Sequence, residues 1–305
     1  MGQCCASSES VDSPSDVAKV HVALKLPHGL AGMKYDTSSQ TFEPCHIHVW
    51  LSNLYKNATW RHWIAYNDQN YENRVKKGHC KGLLAWNDTH VSWLCHSVPY
   101  FPRSFTGTTI SDIDVSEQLY GQSFHYYECP ITPTLLRAIF HQLFTMEACP
   151  VFEHYTGTTM TWEMEKCNFQ SMAFSKLVLT DTLVHMAKSP KAEVDIYSQY
   201  VAICYPALWK VETWIRGHTI TTPCPLIQDC DTLAYKNIAY KESQDHSKWA
   251  VSDKDWYWVG DLNRMTSQFH RGGGGFVGTD AGLARAFRSL IKTIKNGSPR
   301  TSTSI

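Results

Sequence analysis

A surplus of charge of one sign, long apolar runs and paired-cysteine motifs are what this chain lacks. Its 28 Lys and Arg balance 28 Asp and Glu, a formal net charge of zero. No overall basic field would therefore draw in a polyanion, and any such ligand must be held by local charge. No apolar run approaches the roughly 20 residues that cross a bilayer as a helix. No C-x-x-C suggests zinc, and eleven cysteines leave at least one thiol unpaired. No carboxylate cluster is suited to magnesium, so no metal ligand is assigned and no cofactor is expected. Residues 1–18 are rich in Ser and Asp, without a positive segment leading into an apolar one. They are expected to be a flexible segment rather than a secretory signal. Met1-Gly2-Gln3-Cys4-Cys5 begins like an acylation site, but Ala6 stands where Ser or Thr is wanted.

What is present is enough for a large core. The 305 residues are 43% hydrophobic, which suits one large domain or two similar halves. Eleven Trp and fifteen Tyr offer faces for bases, although sheet core is their commoner use. The chain is organised around Asp245 to Asn263, where His246, Lys248, Asp253, Gly260 and Asn263 follow H-x-K-x4-D-x6-G-x2-N. Two aromatic and β-branched runs, 246–251 and 256–260, flank the polar turn 252–255, predicting a hairpin. His246 and Lys248, two apart, then share a face. An imidazole and an ammonium on one face suit a phosphodiester: one attacks or protonates while the other neutralises non-bridging oxygens.

A second copy exists. Gly78-His79-Cys80-Lys81-Gly82 opens a run to Trp86, Asn87-Asp88-Thr89 turns, and the chain runs back to His96. Asn263 stands fifteen residues after Lys248, and His96 fifteen after Lys81. The copy is imperfect, with Trp86 where the other motif has Asp253. Around the motifs, a strand is expected over 18–26, stopped by Pro27 and Gly29, and another over 60–66. His46 and His48 alternate as if on one strand face, as partly exposed residues or the start of a metal site. Thr132-Pro133 predicts a helix cap ahead of an apolar stripe reaching Phe144. A helix is expected over 195–204, with strands over 207–215 and 232–240. Arg271 with Gly272–Gly275 suits either a phosphate approached by backbone amides or a tight turn. A closing helix, 280–295, capped by Thr279, would carry Arg285, Arg288, Lys292 and Lys295 on a basic face, solvated or against DNA. Residues 296–305 read as a disordered tail.

The pattern H-x-K-x4-D-x6-G-x2-N resembles the signature of the phospholipase D superfamily of phosphodiesterases. Further segments resemble deoxyribonuclease II in order along nearly the whole chain: K-L-P (25–27), Y-N-D-Q (66–69), G-H-C-K-G (78–82), H-S-V-P-Y-F-P (96–102), Y-G-Q (120–122), D-H-S-K-W (245–249), V-G-D-L-N-R (259–264) and H-R-G-G-G (270–274). The resemblance implies an α/β, phospholipase D-like fold of two pseudo-twofold-related halves, 19–150 and 151–295, each a mixed sheet flanked by helices. It implies an acid endonuclease that needs no divalent metal and leaves 3′-phosphate and 5′-hydroxyl ends on DNA. On that analogy His79 is the nucleophile and His246 the general acid, while Lys81 and Lys248 bind the non-bridging oxygens with Asn263 and His96. Asp253 would orient a histidine, and Arg271 would meet a substrate phosphate. The familiar members carry a disulfide at positions that here read Ala250 and Trp258, and they more often have Thr at Cys80. A lysosomal or secreted setting follows from the resemblance; the amino end and the absent disulfide argue for an intracellular one. A lipid or small phosphodiester as substrate, or a toxin or binding protein with a decayed first site, are the other readings of these motifs.

Overall fold

A computed structural model describes residues 8–10, 18–69, 78–167, 169–215, 220 and 224–295. Strand β1 (Ser8–Ser10) belongs to the second of two sheets. The first holds β2 (Lys19–Lys25), β3 (Ala31–Asp36), β4 (Thr41–His46), β5 (His62–Asn67), β6 (Lys81–Trp86), β7 (His90–His96), β8 (Gln122–Pro130) and β9 (Pro150–His154). The second adds β10 (Phe174–Thr180), β11 (Leu183–Lys188), β12 (Trp209–Glu212), β13 (Ile227–Tyr235), β14 (Ile238–Lys241), β15 (Trp249–Ser252), β16 (Trp256–Gly260), β17 (Gly273–Thr279) and β18 (Ile291–Ile294). Helices are few: α1 (Ile47–Tyr55), α2 (Pro133–Thr145), and α5 (Ala281–Ser289) after the short α3 (Trp162–Lys166) and α4 (Ala202–Cys204). The molecule is thus α/β with two mostly antiparallel sheets.

The first sheet runs β4-β3-β2-β8-β7-β6-β5-β9 and is antiparallel throughout. The expectation of two mixed sheets is corrected there. Neighbours such as β6 and β7 are joined by a tight turn, in which Asn87 Oδ1 accepts from the Thr89 and His90 amides, so no crossover is needed. The second sheet runs β1-β10-β11-β17-β16-β15-β12-β13-β14, with β18 also on β13; only β1/β10 and β12/β13 are parallel. A common order emerges. In one sheet β5-β6-β7-β8-β2 are adjacent, in the other β12-β15-β16-β17-β11. Each time an H-x-K leads into the second strand of the series, and the fourth runs into a helix, α2 or α5.

Those helices lie between the sheets. The α2 stripe of Leu136, Ile139, Phe140 and Leu143 packs with Trp86 and Trp93 on one side and Leu177, Leu183 and Phe276 on the other. Leu283, Ala284 and Phe287 of α5 do the same between Val22, Leu24 and Met33 and Trp249, Val251 and Tyr257. Helix α1 covers the far face of the first sheet and residues 196–202 the far face of the second. With both faces covered, β6 is buried along its whole length, as its unbroken L-L-A-W suggests.

Several local expectations are revised. Thr132 does cap α2, accepting from the Leu135 amide at 3.1 Å. Asp280, not Thr279, caps α5, accepting from Leu283 at 2.9 Å. Helix α5 ends at Ser289, and β-branched Ile291, Thr293 and Ile294 pair with β13 instead. No continuous basic face forms: Arg285 bonds Gln40, Arg288 the Ser252 and Lys254 carbonyls, and Lys295 Glu242. His46 ends β4 and His48 lies in α1, so the two do not share a strand face. The glycines after Arg271 form neither a phosphate loop nor a turn, because Gly273–Thr279 is an inner strand. A Cβ on Gly274 would lie 2.4 Å from the Met186 carbonyl, and one on Gly275 2.6 Å from the Gly260 Cα, so these glycines permit close backbone approach. The acylation reading at Cys4 and Cys5 and the tail 296–305 fall outside the described residues.

Candidate active site

Each H-x-K lies at the entry to a middle strand of one sheet and is tied to backbone or side chains at a strand end of the other. Of the first, the His79 amide donates to the Gly272 carbonyl at 2.7 Å, and its Nδ1 lies 2.6 Å from the Asp261 carbonyl. Of the second, the His246 amide donates to the Gly121 carbonyl at 2.8 Å and the Lys248 amide to Ser123 Oγ at 3.0 Å. The charges of Lys81 and Lys248 are both felt at His79 and at Glu117, which lies beside His246. Only Lys81 begins a strand; His246 and Lys248 occupy extended chain just before β15.

The two histidines stand in opposite surroundings. A carbonyl can only accept, so His79 carries its proton on Nδ1 and presents Nε2 as a lone pair. Burial first, then the Lys81 ammonium, pushes its pKa down to about 3, with Asp68 opposing and Lys248 adding to the fall. His246 instead stacks on Tyr120, with centroids 4.0 Å apart and planes 8° apart, and meets Trp214 at 4.1 Å. Its Nδ1 is 3.8 Å from Glu117 Oε2, an ion pair that exists only in the protonated form.

The lysines are buried. Lys81 is 2% exposed and its Nζ lies 2.5 Å from Asp68 Oδ1. Arg271 reaches Asp68 Oδ2 at 3.0 Å and the Gly78 carbonyl at 3.1 Å. Burial alone would raise the Asp68 carboxyl, but Lys81, His79 and Arg271 outweigh it and hold it far below the carboxylate range. Lys248 donates to the His246 carbonyl. Burial, then repulsion from Lys81, pushes it down to about 7. Lys81 is thus close enough to Lys248 for its charge to be felt there.

His96 is fully buried beside Phe101 and Phe124, its Nδ1 accepting from the Val98 amide at 3.2 Å. Burial and then Lys81 hold it well below the ordinary histidine value. Its Nε2 and the Asn263 Oδ1 have no partner among the described residues. Asp253 does not join this group. It sits on the exposed hairpin turn, where Oδ1 accepts from the Leu208 amide at 3.1 Å. Five extended residues, roughly 16 Å, separate it from Lys248, so it cannot orient a site histidine. Trp86 likewise lies at the far end of β6, against Phe140. The mismatch between the two motifs therefore falls outside the site.

Five further groups complete the arrangement. Asp68 and Tyr120 lie inside segments quoted above for their resemblance, Y-N-D-Q and Y-G-Q, which gave no reason to single them out. Glu117 and Trp214 carried no sequence signal. A fifth, Asp261, is 1% exposed, accepts from the Gly274 amide at 2.9 Å, and is pushed up to about 8, chiefly by burial. Ala250 and Trp258 are direct register partners across β15 and β16. The Trp258 indole fills the core where a cross-strand cystine would otherwise stand, packing near Tyr197 at 5.9 Å. Among the described residues Cys45, Cys80, Cys95, Cys129, Cys149, Cys167, Cys204, Cys224 and Cys230 are free thiols.

Comparison with known proteins places these residues in a family context. The family model described as Deoxyribonuclease II matches residues 31–297. "Deoxyribonuclease-2" of Caenorhabditis elegans is 31% identical over 243 residues, covering 72% of this chain and 61% of the relative. "Deoxyribonuclease-2-alpha" of Sus scrofa is 28% identical over 306 residues, covering 92% and 83%. "Plancitoxin-1" of Acanthaster planci is 27% identical, covering 85% and 78%. The chain thus spans less than two thirds of the nematode relative's length and most of the other two.

Proposed function

The chain belongs to the deoxyribonuclease II family, and from that premise we propose that it is an acid endonuclease hydrolysing DNA to 3′-phosphate and 5′-hydroxyl ends without a divalent metal, on a phospholipase D-like scaffold of two related halves. The observation that carries this reading is the opposed setting of its two histidines, one neutral with a lone pair presented, the other beside a carboxylate. His79 Nε2 attacks phosphorus, forming an N–P bond as the P–O5′ bond breaks, and the departing oxygen takes its proton from His246. The now neutral His246 accepts a proton from water as that water attacks phosphorus. The N–P bond breaks, a 3′-phosphate leaves, and both imidazoles are restored.

Lys81 and Lys248 neutralise the non-bridging oxygens, with His96 Nε2 and the Asn263 side chain as neutral partners. Asp68 holds Lys81 and Arg271 in place, so Arg271 acts at the edge of the site rather than as a free phosphate clamp. The ammoniums supply the charge stabilisation a metal ion gives in other phosphodiesterases. Two pH limits follow. His79 attacks only above about 3, where it is neutral, and Lys248 is charged only below about 7. A bell between these limits suits a lysosome or another acid setting. No helix among the described residues is long and apolar enough to cross a membrane.

The test is plasmid nicking in excess chelator from pH 3 to 8, with end-group analysis of the products. Acid-range activity in chelator, with 3′-phosphates, is expected. Activity lost in chelator and restored by magnesium or zinc would overturn the mechanism.

A further inference from the structure

Lys25, the first residue of K-L-P, has no part in the chemistry above, yet it is 1% exposed at the end of β2. Its ammonium donates to three carbonyls, Leu26 and Gly29 at 2.9 Å and Gln118 at 2.8 Å, which uses all three of its protons. Gln118 belongs to the 3-10 turn Val115–Leu119, which carries Glu117 and leads into Tyr120, the two groups set against His246. Apolar packing does little to fix that turn, since Val115 is 79% and Leu119 53% exposed. Polar ties hold it instead. The Gly29 amide reaches the same Gln118 oxygen at 2.9 Å, the His28 amide reaches the Leu119 carbonyl at 3.3 Å, and Gly121 bonds the Gln244 carbonyl at 2.9 Å.

We propose that Lys25 is a positioning residue for the general acid: through the Gln118 carbonyl it fixes the turn that sets Glu117 and Tyr120 against His246. The inference rests on the role given to His246 above. The charged and titratable groups around this assembly are Glu117, Asp114, Asp245, Lys81 and Lys248. Burial pushes Lys25 down to about 8, so it stays an ammonium throughout the acid range and keeps all three donors there.

A group that acts through an acid matters in proportion to the leaving group's need for a proton. The experiment compares plasmid DNA with thymidine 3′-(p-nitrophenyl phosphate), whose leaving group needs little protonation. It uses the full chain near pH 5, well below each variant's Tm. Lys25→Met is expected to lower kcat on DNA roughly 10- to 100-fold, the scale of a misplaced catalytic group, and the first-turnover rate of p-nitrophenolate release from the activated ester, which precedes the water step that His246 also serves, less than about 3-fold. Lys25→Arg keeps the charge in a planar fork that suits three separate carbonyls poorly, and should give an intermediate ratio. Should the Met variant fail to fold, the Arg ratio decides alone. Equal losses on both substrates, or no loss on either, would mean that Lys25 is only structural and would overturn the inference. Glu117→Gln, run beside them, should give the same selective loss as Lys25→Met. A wild-type chain inactive on both substrates would sink the nuclease reading itself, a result distinct from an active enzyme with an unchanged ratio.

Discussion

Asp68→Asn is the substitution whose effect the structure determines most closely. Asp68 is 6% exposed and joins two cations, Lys81 at 2.5 Å and Arg271 at 3.0 Å. Removing one member of a buried ion pair costs about 3–5 kcal/mol, because the remaining charge stays buried and unpaired. In a chain of this size that lowers Tm by something of the order of 10 °C. The pH dependence has a definite sign. The folded Asp68 carboxyl lies far below its unfolded value of about 3.9. Its contribution is therefore complete above that unfolded value and is lost only as pH falls towards the lower folded one. Thermal melts of both proteins should show nearly the same gap at pH 5 and pH 7, narrowing below pH 3. Near pH 5 the variant should also lose roughly 100-fold in kcat/KM on DNA, because Lys81 no longer has a fixed position. A gap under 1 kcal/mol at pH 5, or one that widens as the pH is lowered to 3, would refute the ion-pair argument.

Other expectations follow from the same geometry. Glu117→Gln removes the carboxylate beside His246 and should slow DNA cleavage near pH 5 roughly 10-fold or more; cleavage at the wild-type rate would exclude Glu117 from the acid's environment. Because Asp261 is pushed up to about 8, its folded form prefers the proton, and its destabilising effect grows as pH rises from its unfolded value towards 8. Asp261→Asn should thus gain in Tm relative to wild type between pH 4 and pH 7.5, and a gain confined to pH 4 would contradict the assigned burial. His79→Asn and His246→Asn should each abolish DNA cleavage about as fully as the double variant does. Additive losses in well-folded variants would mean that the two halves do not share one phosphorus.

The site was more legible in the sequence than the sheets were. His79, Lys81, His246 and Lys248 were readable as candidates because the proposed reaction needs particular residue types, and two copies at one spacing leave few alternatives. The pairing distance to His96 and Asn263 was readable for the same reason, since hairpins of equal length return the chain to the same end. Asp253 misled because a carboxylate in a motif suggests chemistry, whereas a hairpin turn equally wants Asp for its backbone bonds. Glu117 and Trp214 were hidden because they reach His246 from a turn and a strand end remote in sequence, which no spacing records. The last helix was overextended: a basic 3.6-residue pattern continued past Ser289, while the pairing of Ile291–Ile294 with β13 depends on a partner about 60 residues away. The glycines of β17 looked like loop residues because close backbone approach inside a sheet leaves the same composition as a turn.

The central claim is that His79 attacks phosphorus while His246 serves the leaving group. The most direct test is to mix the His246→Asn variant with an oligonucleotide ester carrying an activated p-nitrophenolate leaving group, quench within milliseconds to seconds under conditions that preserve phosphoramidates, and map the protein by mass spectrometry. The account predicts a covalent 3′-phosphoryl adduct on His79, absent in His79→Asn. An adduct on another residue, or product formed in the first turnover with no protein-bound phosphate at any time, would contradict it.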